Sequence, residues 1–160
     1  MSDTLVFNVP PRIKLGDVFA IDLPDGRIGY VHVLYVHPKY GYLVQVLDRI
    51  TREEISETDL TDTGGQFPPV FVDLIGGVKS GSWKKIGNLP IRDFVFPTFR
   101  LTVATKPGTY ENWWLWSGAE RRFIGKLPAE MRSLEVEQVW GYEILAERIA
   151  TGRNYDENII

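Results

Sequence analysis

From Val18 to Leu23 the side chains alternate, with Phe19, Ile21 and Leu23 on one side and Val18, Ala20 and Asp22 on the other. A period of two is what a pleated strand produces, so this run predicts a β-strand. Pro24-Asp25-Gly26-Arg27 then supplies a turn: proline presets φ, aspartate bonds its own backbone, and glycine accepts positive φ. Ile28 to Val36 returns as a second strand, and its two faces, Tyr30/His32/Leu34 and Val31/Val33/Tyr35, are both largely apolar. Such a strand is expected to be covered on both sides, as in a barrel or a sheet with a helix over it.

The pattern continues with a turn at His37-Pro38-Lys39-Tyr40-Gly41 and a third strand from Tyr42 to Leu47. Thr51 to Asp62 is acidic and polar; Thr51 and Glu54 have capping-box spacing, which leaves a short helix and an irregular acidic excursion both open. After the Gly64–Pro69 loop, Val70 to Ile75 reads as a buried strand that the glycines from Gly76 onward break, and Trp83 to Ile86 as a short strand. Phe99, Leu101 and Val103 alternate with Arg100, Thr102 and Ala104, which describes a half-exposed strand. Asn112–Trp116 and Arg121–Leu127 flank Ser117-Gly118-Ala119-Glu120 and predict a second hairpin. From Pro128 the period changes: Tyr142, Leu145, Ala146 and Ile149 fall at helical spacing, with Ser133 as a candidate N-cap, Arg148 in the last turn and Gly152 as the stop. The expected fold is mostly β (α+β): an antiparallel, strongly curved sheet or partly open barrel with a C-terminal helix. One domain over 1–160 is expected, with an extended arm at 1–12 and a flexible tail at 153–160.

Composition narrows the function classes. The chain has 160 residues, 44% of them hydrophobic, enough for one sizeable core. No apolar run approaches the roughly 20 residues that span a bilayer, and MSDTLVFNVPP does not read as a secretion signal; a cytoplasmic protein is expected. The absence of cysteine excludes disulfides, thiol nucleophiles and cysteine-based zinc sites. A net charge of -3 argues against a general nucleic-acid binder, which wants a basic surface.

Candidate chemistry is sparse. His32 and His37 are the only histidines, and their odd spacing on a regular strand points them to opposite faces; His32 reads as a packed or half-exposed strand residue and His37 as a solvated turn. The glycine clusters lack the order of a phosphate loop, and neither Ser80-Gly81 nor Ser117-Gly118 sits in a nucleophile elbow. No catalytic residue, metal ligand or cofactor is therefore assigned. Two surfaces remain as candidates for binding a protein partner. One is the acidic set Glu53, Glu54, Glu57 and Asp59 (with Asp62), suited to steering a basic partner surface. The other is the cluster Trp113, Trp114 and Trp116, one face of which is core and the other a candidate aromatic anchor.

Gly16-Asp17-Val18-Phe19-Ala20-Ile21, followed by Leu23-Pro24-Asp25-Gly26-Arg27 and Gly29-Tyr30, resembles the start of the immunity protein 26 family of bacterial polymorphic-toxin systems. Ser82-Trp83-Lys84-Lys85-Ile86-Gly87, with Pro90 after it, is similar to a tryptophan-containing segment of the same family. The resemblance implies a cytoplasmic protein without catalysis that binds and occludes a cognate toxin. It transfers no binding site: Gly16, Asp17, Phe19, Pro24, Gly26, Gly29 and Tyr30 are read as hairpin framework. Two other classes stay open, an SH3-like or Tudor-like adaptor for a peptide or nucleic acid, and a hydrolase pairing a carboxylate with His32 or His37.

Overall fold

The first hairpin organises the computed structural model, which describes residues 12–102 and 111–154. Strand β1 (Asp17–Asp22) pairs antiparallel with β2 (Ile28–His37), Phe19 opposite Val31 and Ile21 opposite Gly29. Gly26 takes φ 86° in the turn between them, a conformation that costs other L-residues strain. Strands β3 (Gly41–Val46) and β4 (Val70–Val72) extend the sheet beyond β2, and β5 (Trp83–Asn88) pairs with β1. The far edge is β10 (Val139–Trp140), parallel to β4. A second sheet has the order β8-β7-β6-β9, built from β6 (Phe99–Thr102), β7 (Trp113–Trp116), β8 (Arg121–Gly125) and β9 (Glu135–Val136), with β9 parallel to β6.

Over the described residues the fold is thus mostly β, but in two sheets that do not close into a barrel. Nor is it wholly antiparallel, because the chain returns after β8 to add one parallel strand to an edge of each sheet. Each face of β2 is covered, as its double apolar pattern requires. On one side Val31, Val33, Val44, Val46, Val70 and Val72 pack with Leu145, Ala146 and Ile149 of the C-terminal helix, α2 (Tyr142–Thr151). On the other side Leu43 and Phe71 meet Phe99 and Trp116 of the second sheet, and Val18, Ala20 and Tyr30 pack with Leu47 and Leu60.

Two local expectations change, and an alternative left open is decided. Val70–Ile75 is not one strand: β4 ends at Val72, and Leu74–Ser80 forms helix α1, N-capped by Asp73, whose Oδ1 accepts from the Gly76 amide at 3.0 Å. Glycines inside that helix serve packing, since a Cβ on Gly77 would lie 2.7 Å from the Trp83 ring. The C-terminal helix starts at Tyr142 with Gly141 as its N-cap, so Ser133 caps nothing; Gly152 ends it with φ 73°. The acidic stretch forms a single 3-10 turn, Glu57–Leu60, rather than a helix capped by Thr51, because Leu60 buries itself against the sheet. The proposed arm and tail lie outside the described residues, apart from Arg12 and Arg153–Asn154.

Asp17 ties three segments together. Its carboxylate accepts from the Lys14 amide at 2.7 Å and from the Asn88 side chain at 3.0 Å, and stands 3.1 Å from the Lys85 ammonium. Burial alone would raise its pKa, but the bonds from Asn88, Lys14 and Lys85 outweigh burial and hold it below the ordinary carboxylate value. A lowered folded-state pKa means stability that is present above the unfolded value and lost as pH falls through the folded one. Asp17→Asn should therefore cost about 1–3 kcal/mol at neutral pH. Its stability should also fall less steeply than the wild type's below about pH 4, in urea titrations run across the acid range.

Candidate functional site

Three regions bear on function: the acidic excursion, the tryptophan cluster, and a groove between loops on the sheet face opposite the helices.

In the excursion, Glu53, Glu54 and Asp59 are exposed and Glu57 is half-buried over Gly87. Ile55 and Leu60 hold the segment to the sheet. The hydroxyl of Tyr30 helps, accepting from the Ile55 amide at 3.1 Å and lying 2.7 Å from Thr51 Oγ1. Glu54 pairs with Lys84 at 3.3 Å; between two solvent-exposed groups such a pair stabilises by little. The excursion is thus a fixed wall with acids on its outer side.

The tryptophans divide differently from a simple two-faced strand. β7 is an inner strand covered on both faces, so Trp113 and Trp116 are both buried and neither is a surface anchor. Trp113 lies beneath the buried Arg100 guanidinium at 5.2 Å, and Arg100 Nε donates to the Leu134 carbonyl. The strand read as half-exposed is therefore closed on its Arg100 side as well. Trp116 sits among Phe71, Phe96 and Phe99 at the join of the two sheets. Trp114, half-buried and edge-on to the exposed Phe123 at 5.0 Å, is the indole of the cluster that solvent reaches.

His37 is not a solvated turn. Its Nδ1 accepts from the Lys39 and Tyr40 amides, and its ring stacks on Tyr40 and meets Phe71 and Trp116 edge-on. The odd spacing misleads because β2 carries a bulge between Val33 and Tyr35. The bulge returns His37 to the face that holds His32, since a bulge shifts the alternation by one residue. Next to it Tyr40 donates to Glu137 at 2.5 Å, and Arg121 forks onto the same carboxylate, clamping β8 to the first sheet. Burial and the adjoining Glu137 both push the Tyr40 phenol up.

The groove encloses about 430 Å³. Its floor is His32 and Leu34 of β2 with Gln45 and Leu47 beside them; one wall is Leu60 and Thr61 of the excursion with Thr63 after it, the other Leu89, Pro90 and Arg92 to Val95. His32 and Gln45 are cross-strand partners. Each is anchored through one nitrogen: His32 Nε2 donates to the Leu89 carbonyl at 3.0 Å, and Gln45 Nε2 donates to the carbonyls of Phe67 and Val46. The periodicity places His32 on a face but gives no sign of this groove, whose walls come from segments distant in sequence. Asp93 shares the lining with His32, yet among the described residues no ion pair joins either histidine to a carboxylate. Among those residues, too, no three His, Asp or Glu side chains stand together as a metal site, and no helix is long and apolar enough to cross a membrane.

No curated protein and no solved structure matches the chain. A protein-family comparison matches residues 14–99, more than half of the 160, to the family described as Immunity protein 26. That span runs from β1 to the first residue of β6 and contains every residue lining the groove, whereas Trp113, Trp114 and Trp116 lie beyond it. The chain belongs to the immunity protein 26 family.

Proposed function

We propose that this chain is a non-catalytic immunity protein that binds a cognate toxin in the cytoplasm of the bacterium making it, and neutralises the toxin by occlusion. The family match over residues 14–99 carries this reading. The architecture suits it: a two-sheet scaffold with internal ion pairs presents loops and a charged wall without needing to rearrange. Contacts are assigned to Glu53, Glu54, Glu57 and Asp59 on the excursion, where charge steers encounter, and to Trp114 on the second sheet, since exposed indoles are frequent interface anchors. Trp113 and Trp116 support the second sheet from within.

Co-expression tests the proposal. A reading frame adjoining the gene should encode a protein with a toxin domain, whose toxicity this chain abolishes and with which it co-purifies. A toxin that still kills the cell in the presence of the folded chain, or the absence of any adjoining toxin gene and any co-purifying partner, overturns it.

A further inference from the structure

We propose that the groove over His32 and Gln45 is the seat for an arginine- or lysine-bearing segment of the toxin, its cationic head on the floor and its apolar stem against Leu34 and Leu47. This rests on the immunity reading and adds to it a place and a chemistry.

Hydrogen-bond acceptors predominate in the lining. A carbonyl oxygen only accepts, so the His32 nitrogen facing Leu89 O carries the hydrogen. In the neutral ring Nδ1 is then an acceptor. By the same logic the Gln45 amide nitrogen is spent on two backbone carbonyls, which leaves its oxygen as the end with capacity to accept. The Thr61 hydroxyl donates to the Thr58 carbonyl at 2.8 Å and so also keeps its lone pairs. Asp93 adds a carboxylate in the opposite wall, and the exposed Asp59 and Asp62 flank Leu60 and Thr61. Among the described residues, Arg92 is the one lysine or arginine of the lining, which it shares with His32 and Asp93.

A ligand rich in acceptors, such as a phosphate or an acidic peptide, would meet acceptors here. A guanidinium or ammonium supplies donors and positive charge together. Its methylene stem matches the apolar flanks, since long basic side chains lay their stems on apolar surface. The volume of about 430 Å³ is in the range of ordinary ligand pockets and accommodates one such side chain with its neighbours.

The test measures binding of the toxin encoded by the adjoining reading frame to the full chain and three variants, each checked by thermal melting. Leu34→Trp fills the groove and should weaken binding by about 30-fold or more, the size of a hot-spot loss. Asp93→Lys should weaken it by about tenfold, with a shallower dependence on salt. Ile144→Ser, exposed on α2 across the sheet, should bind as the wild type does. Toxin affinity within twofold of wild type for both groove variants overturns the proposal. A second measurement stands apart from the toxin: NMR titration with the blocked peptide acetyl-Leu-Arg-Leu-amide should shift the Gln45 side-chain amide and the His32 ring, and its glutamate counterpart should not. If the adjoining product does not bind the wild-type chain at all, the immunity reading fails and this titration decides the groove alone. Shifts confined to the arginine peptide support the proposal, and equal shifts or none overturn it.

Discussion

Replacing Arg148 with methionine is expected to cost about 3–5 kcal/mol of folding stability, because it strands the Glu135 carboxylate in the interior. Both partners are buried. The guanidinium forks onto Glu135 with bonds of 2.6 and 2.9 Å, and its Cζ lies 3.6 Å from the centre of the Phe67 ring and 4.9 Å from that of Trp140. The pair links α2 to β9 and thereby the helix layer to the second sheet. The expected magnitude comes from desolvation, not from the ionic attraction itself. An unpaired buried carboxylate retains the cost of leaving water with nothing to offset it, while removing both charges removes that cost as well. The double variant Glu135→Leu/Arg148→Met should therefore recover most of the loss and lie within about 1 kcal/mol of wild type or above it. Urea unfolding of wild type, Glu135→Leu, Arg148→Met and the double variant at neutral pH reads this non-additivity directly. A single Arg148→Met variant that loses less than about 1 kcal/mol would show that water reaches the pair.

This ion pair also shows what the sequence conceals. In sequence Arg148 is only a residue of the helix's last turn, and Glu135 stands out in no pattern. Their meeting depends on β9 joining the second sheet, a pairing with no local signature. Arg100 is missed for the same reason: period-two alternation assigns a charged residue to the wet side of a strand, and only the closing of the segment around Leu134 makes that side dry. By contrast, the hairpin from Asp17 to His37 was legible because both its alternation and its turn chemistry are local. Its doubly apolar second strand correctly implied cover on two sides. The family likeness was legible there too, since glycines and turn residues that shape a backbone leave a pattern in sequence. The groove was not. Its floor is one register pair, His32 and Gln45, but its walls are loops whose positions follow from tertiary packing. Partner surfaces are harder still to read: the densest tryptophan run in the chain is mostly core, because Phe71 of the first sheet packs on Trp116 and the Arg100 guanidinium lies over Trp113.

That inner position makes Trp116→Ala the second large effect, an expected loss of about 3–5 kcal/mol. The ring centre lies 6.1 Å from that of Phe71, 5.7 Å from Phe99 and 5.3 Å from Phe96, with the Arg121 guanidinium 5.3 Å away. Its Nε1 donates to the Ala119 carbonyl at 3.0 Å. Two terms compete for the explanation, and phenylalanine separates them. Trp116→Phe forfeits the hydrogen bond and part of the ring, which should cost about 1–2 kcal/mol. Alanine removes the whole contact between sheets and leaves a cavity. Similar losses for the two variants would place the energy in the hydrogen bond; a loss two- to threefold larger for alanine places it in packing, which is the expected result. The location of the damage carries a further signature. Phe71 belongs to the first sheet and Phe99 to the second, so the ring is the mortar between them. Amide hydrogen exchange in Trp116→Ala should accelerate first in β6 and β7, while β1, β2 and β3 keep the protection that their separate contacts with α2 provide. Equal acceleration in all of these strands would mean instead that the two sheets unfold as one cooperative unit.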